Sequence, residues 1–376
     1  MIENIILSEA ATLLHRSHPM PGGQATPPGA ENRYTIPMLR FIRSTLTPSA
    51  YHGHGRRPPF FEGWYFKLVS ADRSRRWVAI PGIFKSQDPA KAHAFVQVLD
   101  GQTGSVSYHR YPVGDFWAAA DRFEIRIGPN AFSAEALRLD IDGEGRRIRG
   151  ALRFTGGAAW PVSLISPGIM GWYAWVPKME TYHGVVSLDH EIQGALEIDG
   201  ETAEFSGGRG YIEKDWGRSF PAAWVWMQSN HFSRPGACLT ASVAVIPWMR
   251  SAFGGYIVGL WHERQLHTFS TYNGARVETL AVAPQHIEWT LRNRTHRLEI
   301  RAHRQQAALL QAPTLEDMGR RIPETLQAAI DVRLYALAGG EGQLVWEDTG
   351  ECAGLEVVGD IERLVRMVPQ TGAKPA

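Results

Sequence analysis

The sequence predicts an all-β protein built from two antiparallel β domains preceded by a short helix. Three observations carry this expectation: short runs of alternating apolar and polar residues, Asp-Gly or Asn-Gly dipeptides between such runs, and few helical segments past residue 35. "RFEIRIG" alternates Phe123, Ile125 and Ile127; "RRIRGALRF" alternates Ile148, Leu152 and Phe154; "RLEIRAH" alternates Leu298, Ile300 and Ala302. Period two puts each set on one face of a strand. Asp100-Gly101, Asp142-Gly143, Asp199-Gly200 and Asn273-Gly274 are hairpin turn signals. Many strands joined by regular turns favour antiparallel barrels or sandwiches over a parallel sheet with crossover helices.

A length of 376 residues suggests about two domains. Residues 1–33 read as an N-terminal helix and linker, 34–205 as a first β domain and 206–370 as a second. In "MIENIILSEAATLL" the apolar residues Ile2, Ile5, Ile6, Ala10, Leu13 and Leu14 have helical spacing. Packing on the body of the protein and contact with a membrane surface both suit such a helix. Glu3 and Glu9 argue against a secretory signal, and no run of ~18 apolar residues marks a transmembrane span. A cytoplasmic protein is expected, with peripheral contact at a membrane surface. Residues 17–33, rich in Pro, Gly and small polar residues, form the linker. Hydrophobic content of 44% with 20% charged residues fits a globular chain, and 39 basic against 38 acidic residues give no field to recruit nucleic acid. Cys238 and Cys352 are too few for a disulfide framework.

The thirteen tryptophans are clustered, as Trp64 with Trp77, Trp172 with Trp175, and Trp216 with Trp224 and Trp226. "GWYAWVPKMETYHG" interleaves Gly, Pro and polar residues with aromatics, a poor pattern for a core and a good one for a pocket wall. The chain lacks GxSxG, GxxxxGK[ST], HExxH and CxxC, which removes support for serine hydrolase, P-loop and standard zinc chemistry. His52 and His54 in "HGHG" are metal-capable residue types, but no carboxylate or third histidine accompanies them in that loop.

The stretch "GYIEKDWGRSFP" places Glu213, Lys214 and Asp215 between Tyr211 and Trp216. On a strand, Tyr211, Glu213 and Asp215 share one face while Ile212, Lys214 and Trp216 share the other. Spacing alone leaves two readings open, a solvated charged strand or a buried acid pair. "TPSAYHGHGRRPPFFEGWYFKL" (47–68), "HAFVQVLDGQTG" (93–104), "GWYAWVPKMETYHGVVSLDHEIQGALEIDG" (171–200) and "GYIEKDWGRSFPAAWVWMQSNHF" (210–232) together resemble the tocopherol cyclase family in order, spacing and aromatic content. The resemblance is strong from about Thr47 to Phe232 and rests mainly on strand pattern beyond. That family is distantly related to carotenoid hydratases with paired lipocalin-like β domains, so the resemblance implies two lipocalin-like domains. It also implies a cyclase of a prenylated hydroquinone, working without a metal or organic cofactor.

Such a cyclisation protonates a trisubstituted alkene and closes a chromanol ring by attack of the phenol oxygen. It needs a carboxylic acid still protonated near neutral pH, a group to take the phenol proton, and an apolar pocket. Burial and a neighbouring carboxylate both raise a carboxyl pKa. The family motif keeps Glu-Lys, then has Asn or Asp before Trp-Gly, which makes Glu213 the candidate acid and Asp215 the residue that orients it, with Tyr211 beside them. In the related hydratases an Asp stands at the position of Glu213. His183 has a pKa range suited to taking the phenol proton or hydrogen-bonding the hydroquinone, and a structural role suits it equally. Trp64, Tyr65, Trp172, Tyr173, Trp175 and Trp216 are candidates for the pocket lining, where ring faces stabilise a carbocation. Glu62 is the second candidate acid, against an internal ion pair to a basic residue. Two further readings remain open: hydration or isomerisation of an isoprenoid alkene, and a non-catalytic carrier of an apolar ligand. A carrier has no use for a buried unpaired carboxyl.

Overall fold

The structure is a computed structural model that describes residues 35–338 and 341–372. The helix expected over 2–14 and the linker over 17–33 lie outside the described residues. The chain divides into two units, Met1–Ile42 and Arg43–Ala376, and the second holds the β structure.

Two sheets, of 12 and 10 strands, are antiparallel in every strand pairing. In the first, Gly208–Gly217 is central, flanked by Phe60–Val69 and Thr181–Ile198, with hairpins extending the sheet on both sides. In the second, Trp224–Ser229 lies between Cys238–Trp248 and Glu341–Val358, and Arg320–Ala338 pairs with the latter. Each sheet therefore pairs its first strand in the chain with its last. Gly208–Gly217, assigned from the sequence to a second domain starting at 206, belongs to the first sheet. It pairs with Phe60–Val69 from Phe61↔Gly217 to Val69↔Arg209. The turns near residues 199–208 resemble a boundary locally, but a strand nearly 150 residues upstream supplies the partner. The change of sheet falls between Gly217 and Trp224.

Four apolar clusters account for the packing, the smallest of them grouping Phe61, Phe84, Phe95 and Met318. One fills the first sheet around Trp64, Phe66, Phe132 and Trp216, and another fills the second around Met227, Phe269 and Trp289. A third joins residues of both sheets, among them Tyr65, Tyr211, Trp226 and Ile322. Strands at this seam are buried on both faces, so Phe60–Val69 is almost continuously buried where a strand with one wet face would alternate. The question of which face of Gly208–Gly217 is inside has the answer that both are: Ile212 and Trp216 enter the first sheet's cluster, and Tyr211 enters the third.

Helices are few but exceed the sequence expectation. Thr35–Thr45 is helical, and so is Ile361–Met367, whose first turn is capped by Asp360 accepting the Arg363 amide at 2.9 Å. A 3₁₀ segment, Gly168–Trp175, carries the "GWYAW" stretch. Gly171 there has φ 56°, and a Cβ on it would lie 2.4 Å from the Tyr272 ring. Only glycine combines that backbone with that approach.

Candidate active site between the two sheets

A cavity of about 200 Å³ opens at the seam. Its apolar walls include Phe61, Phe95 and Met318 on one side and Tyr173, Ile246 and Phe253 on another. Four carboxyl side chains and one imidazole face into it: Glu213, Asp215, Glu324, Glu356 and His183.

Cross-strand register assembles the first group. Tyr65 stands opposite Glu213 on one neighbouring strand, and His183 stands opposite Asp215 on the other. His183 Nδ1 is 2.9 Å from Asp215 Oδ1, and its Nε2 is 3.5 Å from Glu213 Oε2. Tyr211 donates its hydroxyl to Glu213 Oε2 at 2.5 Å, and Trp226 of the second sheet donates Nε1–H to the same oxygen at 3.2 Å. Burial raises the Glu213 pKa to about 7; His183 opposes the rise, Asp215 adds to it, and the Tyr211 and Trp226 donors pull it back. Burial opposes charge on His183, but Asp215 and Glu213 outweigh it and lift the imidazole to about 9. His183 is thus an imidazolium at neutral pH, bonded through Nδ1 to Asp215, while its buried Nε2 near Glu213 has no hydrogen-bond partner. The same three residues bring donor atoms of metal-ligand type within 4.8 Å of one another. Among them one hydrogen bond forms, between His183 Nδ1 and Asp215, with Glu213 adjacent.

The remaining sequence candidates divide. Tyr65 and Tyr173 line the cavity. Tyr211 is buried and bonds Glu213 from its own strand. Trp172 stacks on Tyr173 at 4.1 Å but is 42% exposed, and Trp175 donates Nε1–H to the Leu164 carbonyl at 2.8 Å; neither lines the cavity. Glu62, Trp64 and Trp216 are on the opposite face, inside the first sheet, because strand alternation sends them away from Tyr65, Glu213 and Asp215. Glu62 is fully buried in an ion pair with Lys214 and accepts the His52 amide at 2.9 Å. The internal ion pair weighed against an acid role is what forms. Lys214 reaches Glu62 across the strands, with Nζ 4.7 Å from the ring centres of both Trp64 and Trp216. His52 stacks on Trp216 at 4.1 Å, while His54 Nε2 contacts the Ala119 carbonyl at 3.1 Å, so the two histidines serve different partners.

Sequence reasoning missed Glu324 and Glu356, which come from the second sheet. Each interrupts the apolar side of a strand, Glu324 between Ile322 and Leu326 and Glu356 between Gly354 and Val358. An acid at an inward position of an alternating strand is a readable signal. Tyr65 donates its hydroxyl to Glu324 Oε1 at 2.5 Å, and Trp224 donates Nε1–H to Glu356 Oε2 at 2.5 Å. Burial pushes both carboxyls upward, and the charge of Glu324 pushes Glu356 further.

Fold and site together define a class: a two-sheet antiparallel β protein holding an acid-lined apolar cavity at the seam. The tocopherol cyclase-like family model matches residues 148–359, more than half of the chain, and the protein belongs to that family. It is 25% identical to a chloroplastic tocopherol cyclase of Zea mays over 84% of this chain and 78% of that one. Identity is 24% to a probable chloroplastic tocopherol cyclase of Oryza sativa subsp. japonica, over 84% and 79%. Among solved structures, CghA with Sch210972 superimposes with a TM-score of 0.51 at 15% identity, covering 81% of this chain and 89% of that one. That likeness concerns the fold, which is lipocalin-like. No helix among the described residues is long and apolar enough to cross a membrane.

Proposed function

We propose that the protein is an acid-catalysed cyclase of a prenylated hydroquinone, in which Glu213 protonates the prenyl alkene and the phenol oxygen closes the ring on the resulting tertiary carbon. The observation that carries this reading is a carboxyl buried in an apolar cavity with its pKa raised to about 7, so that a large share is protonated at neutral pH. Tyr65, Tyr173 and Trp226 present rings around the space where positive charge develops, each worth ~0.5–2 kcal/mol when desolvated. His183, held cationic by Asp215, donates a hydrogen bond to an oxygen of the substrate and orients the ring. A carrier of apolar ligands gains nothing from such groups, since burying an unpaired carboxyl costs several kcal/mol. Cavity volume adds a constraint: about 200 Å³ is below the ~300–1,000 Å³ of common ligand sites. It suits the reacting end of the substrate, with the tail projecting toward a surface from which a bilayer lipid could be drawn.

The test is incubation with a panel of prenylated hydroquinones and isoprenoids, scoring isomeric products against products heavier by one water. Glu213→Gln retains shape and cannot deliver a proton, so turnover falls by ~10² or more with the fold intact. Asp215→Asn is milder. A fully active Glu213→Gln protein refutes the assignment, and water addition in place of isomerisation replaces cyclisation by hydration.

A further inference from the structure

Ring closure releases the phenol proton, and the group that takes it must be able to gain one. His183 is poorly placed for this, because Asp215 at 2.9 Å and Glu213 at 3.5 Å hold it as a cation. The opposite wall carries Glu324 and Glu356, directly opposed in register on neighbouring strands and both lining the cavity. Glu324 Oε2 is buried without a hydrogen-bond partner. The outer oxygens are occupied by the Tyr65 hydroxyl and the Trp224 indole, which are neutral donors.

Lys67 acts on Glu324 and Arg320 on Glu356 from a distance, but neither makes an ion pair with them. Lys67, on the strand of Tyr65, is committed to Gln228 Oε1 at 2.9 Å. Arg320, on the strand of Glu324, donates to the Pro221 and Ala222 carbonyls. Glu213 and Asp215, which face the pair from the first sheet, add negative charge. Two ionised carboxylates directly opposed in register, Glu324 buried and Glu356 half-buried, with no ion-pair partner among the described residues, would repel strongly, so the pair retains a proton. A pair holding one proton can still accept a second.

Resting on the cyclase reading, we propose that Glu324 and Glu356 form a carboxylic acid–carboxylate pair that takes the phenol proton and returns it to Glu213. Glu213 loses its proton to the alkene as the C–H bond forms. The phenol oxygen bonds the tertiary carbon while its O–H bond breaks, and that proton enters the carboxylate of the pair. The doubly protonated pair then gives one proton back to the Glu213 carboxylate, so the cycle consumes none, as an isomerisation requires.

The experiment has two arms on Glu324→Gln, Glu356→Gln and the double variant, each checked by melting temperature. The first is ligand-free infrared spectroscopy of protonated carboxyl groups at pH 8, where Glu213 is mainly ionised. Wild type minus double variant should show a protonated carboxyl band; its absence overturns the shared proton whatever the protein catalyses. The second is turnover against pH. Each single variant should lose ~10² in kcat at neutral pH with KM little changed, and should lose the fall in rate that the wild type shows as acid fills the pair. Variants with wild-type kcat and pH profile beside an active wild type overturn the proton-accepting role and leave the cyclase reading standing. A wild type that cyclises nothing in the panel overturns that role together with the reading, even if the infrared band persists.

Discussion

Glu213→Gln should change how stability depends on pH, independently of any substrate. In the folded protein burial raises the Glu213 pKa from its usual 4.5 to about 7. At ~1.4 kcal/mol per pH unit, the difference amounts to about 3 kcal/mol once both states are ionised. The sign follows from proton binding: between pH 4.5 and 7 the folded state keeps a proton that the unfolded state has released, so stability falls as pH rises through that window. Wild type should lose roughly 2–3 kcal/mol from this group between pH 5 and pH 8, and the Gln variant none of it. His183, raised to about 9, contributes stability that is complete below pH 6.5 and disappears as pH rises through 9. Asp215 remains beside His183 in the variant, so most of that slope is common to both proteins. The assay is denaturant unfolding of both proteins at pH 5, 6, 7 and 8. The variant should gain on wild type steadily with pH. Parallel curves would mean that Glu213 is not held protonated by burial, and the proton-donor argument would lose its basis.

Two other substitutions probe the surroundings. Lys214→Met leaves Glu62 as an uncompensated charge at a fully buried site and should cost about 3–5 kcal/mol, while adding Glu62→Leu should recover most of it. A Lys214→Met protein as stable as wild type in urea would show that Glu62 is not ionised there. Trp226→Phe removes the indole donor from Glu213 Oε2, a bond that favours the carboxylate, so the Glu213 pKa should rise by about one unit. In a cyclisation assay the alkaline limb of the rate profile should move up with it, and a limb that stays put or moves down would contradict the hydrogen-bond argument.

How much of this was readable in the sequence depends on whether the information was local. Alternation and turn dipeptides are local, and they mark the strands and the shared face of Tyr211, Glu213 and Asp215. The Asp360 cap of Ile361–Met367 is a local signal as well. Register is not local. Nothing near Glu62 indicates that Lys214 will neutralise it, and nothing near Tyr65 indicates that its ring stands opposite Glu213 while its hydroxyl reaches Glu324, 259 residues away. Pairing of first and last strands in both sheets brings these distant residues to one seam. It also explains why an acid search confined to the best-matching stretch finds only half the acids. The first sheet supplies Glu213 and Asp215, and the second supplies Glu324 and Glu356 from a region whose resemblance lies mainly in strand pattern. A cavity with proton-holding groups on both walls can donate at one end of a substrate and accept at the other. That division requires two sheets facing one another, and neither sheet alone provides it.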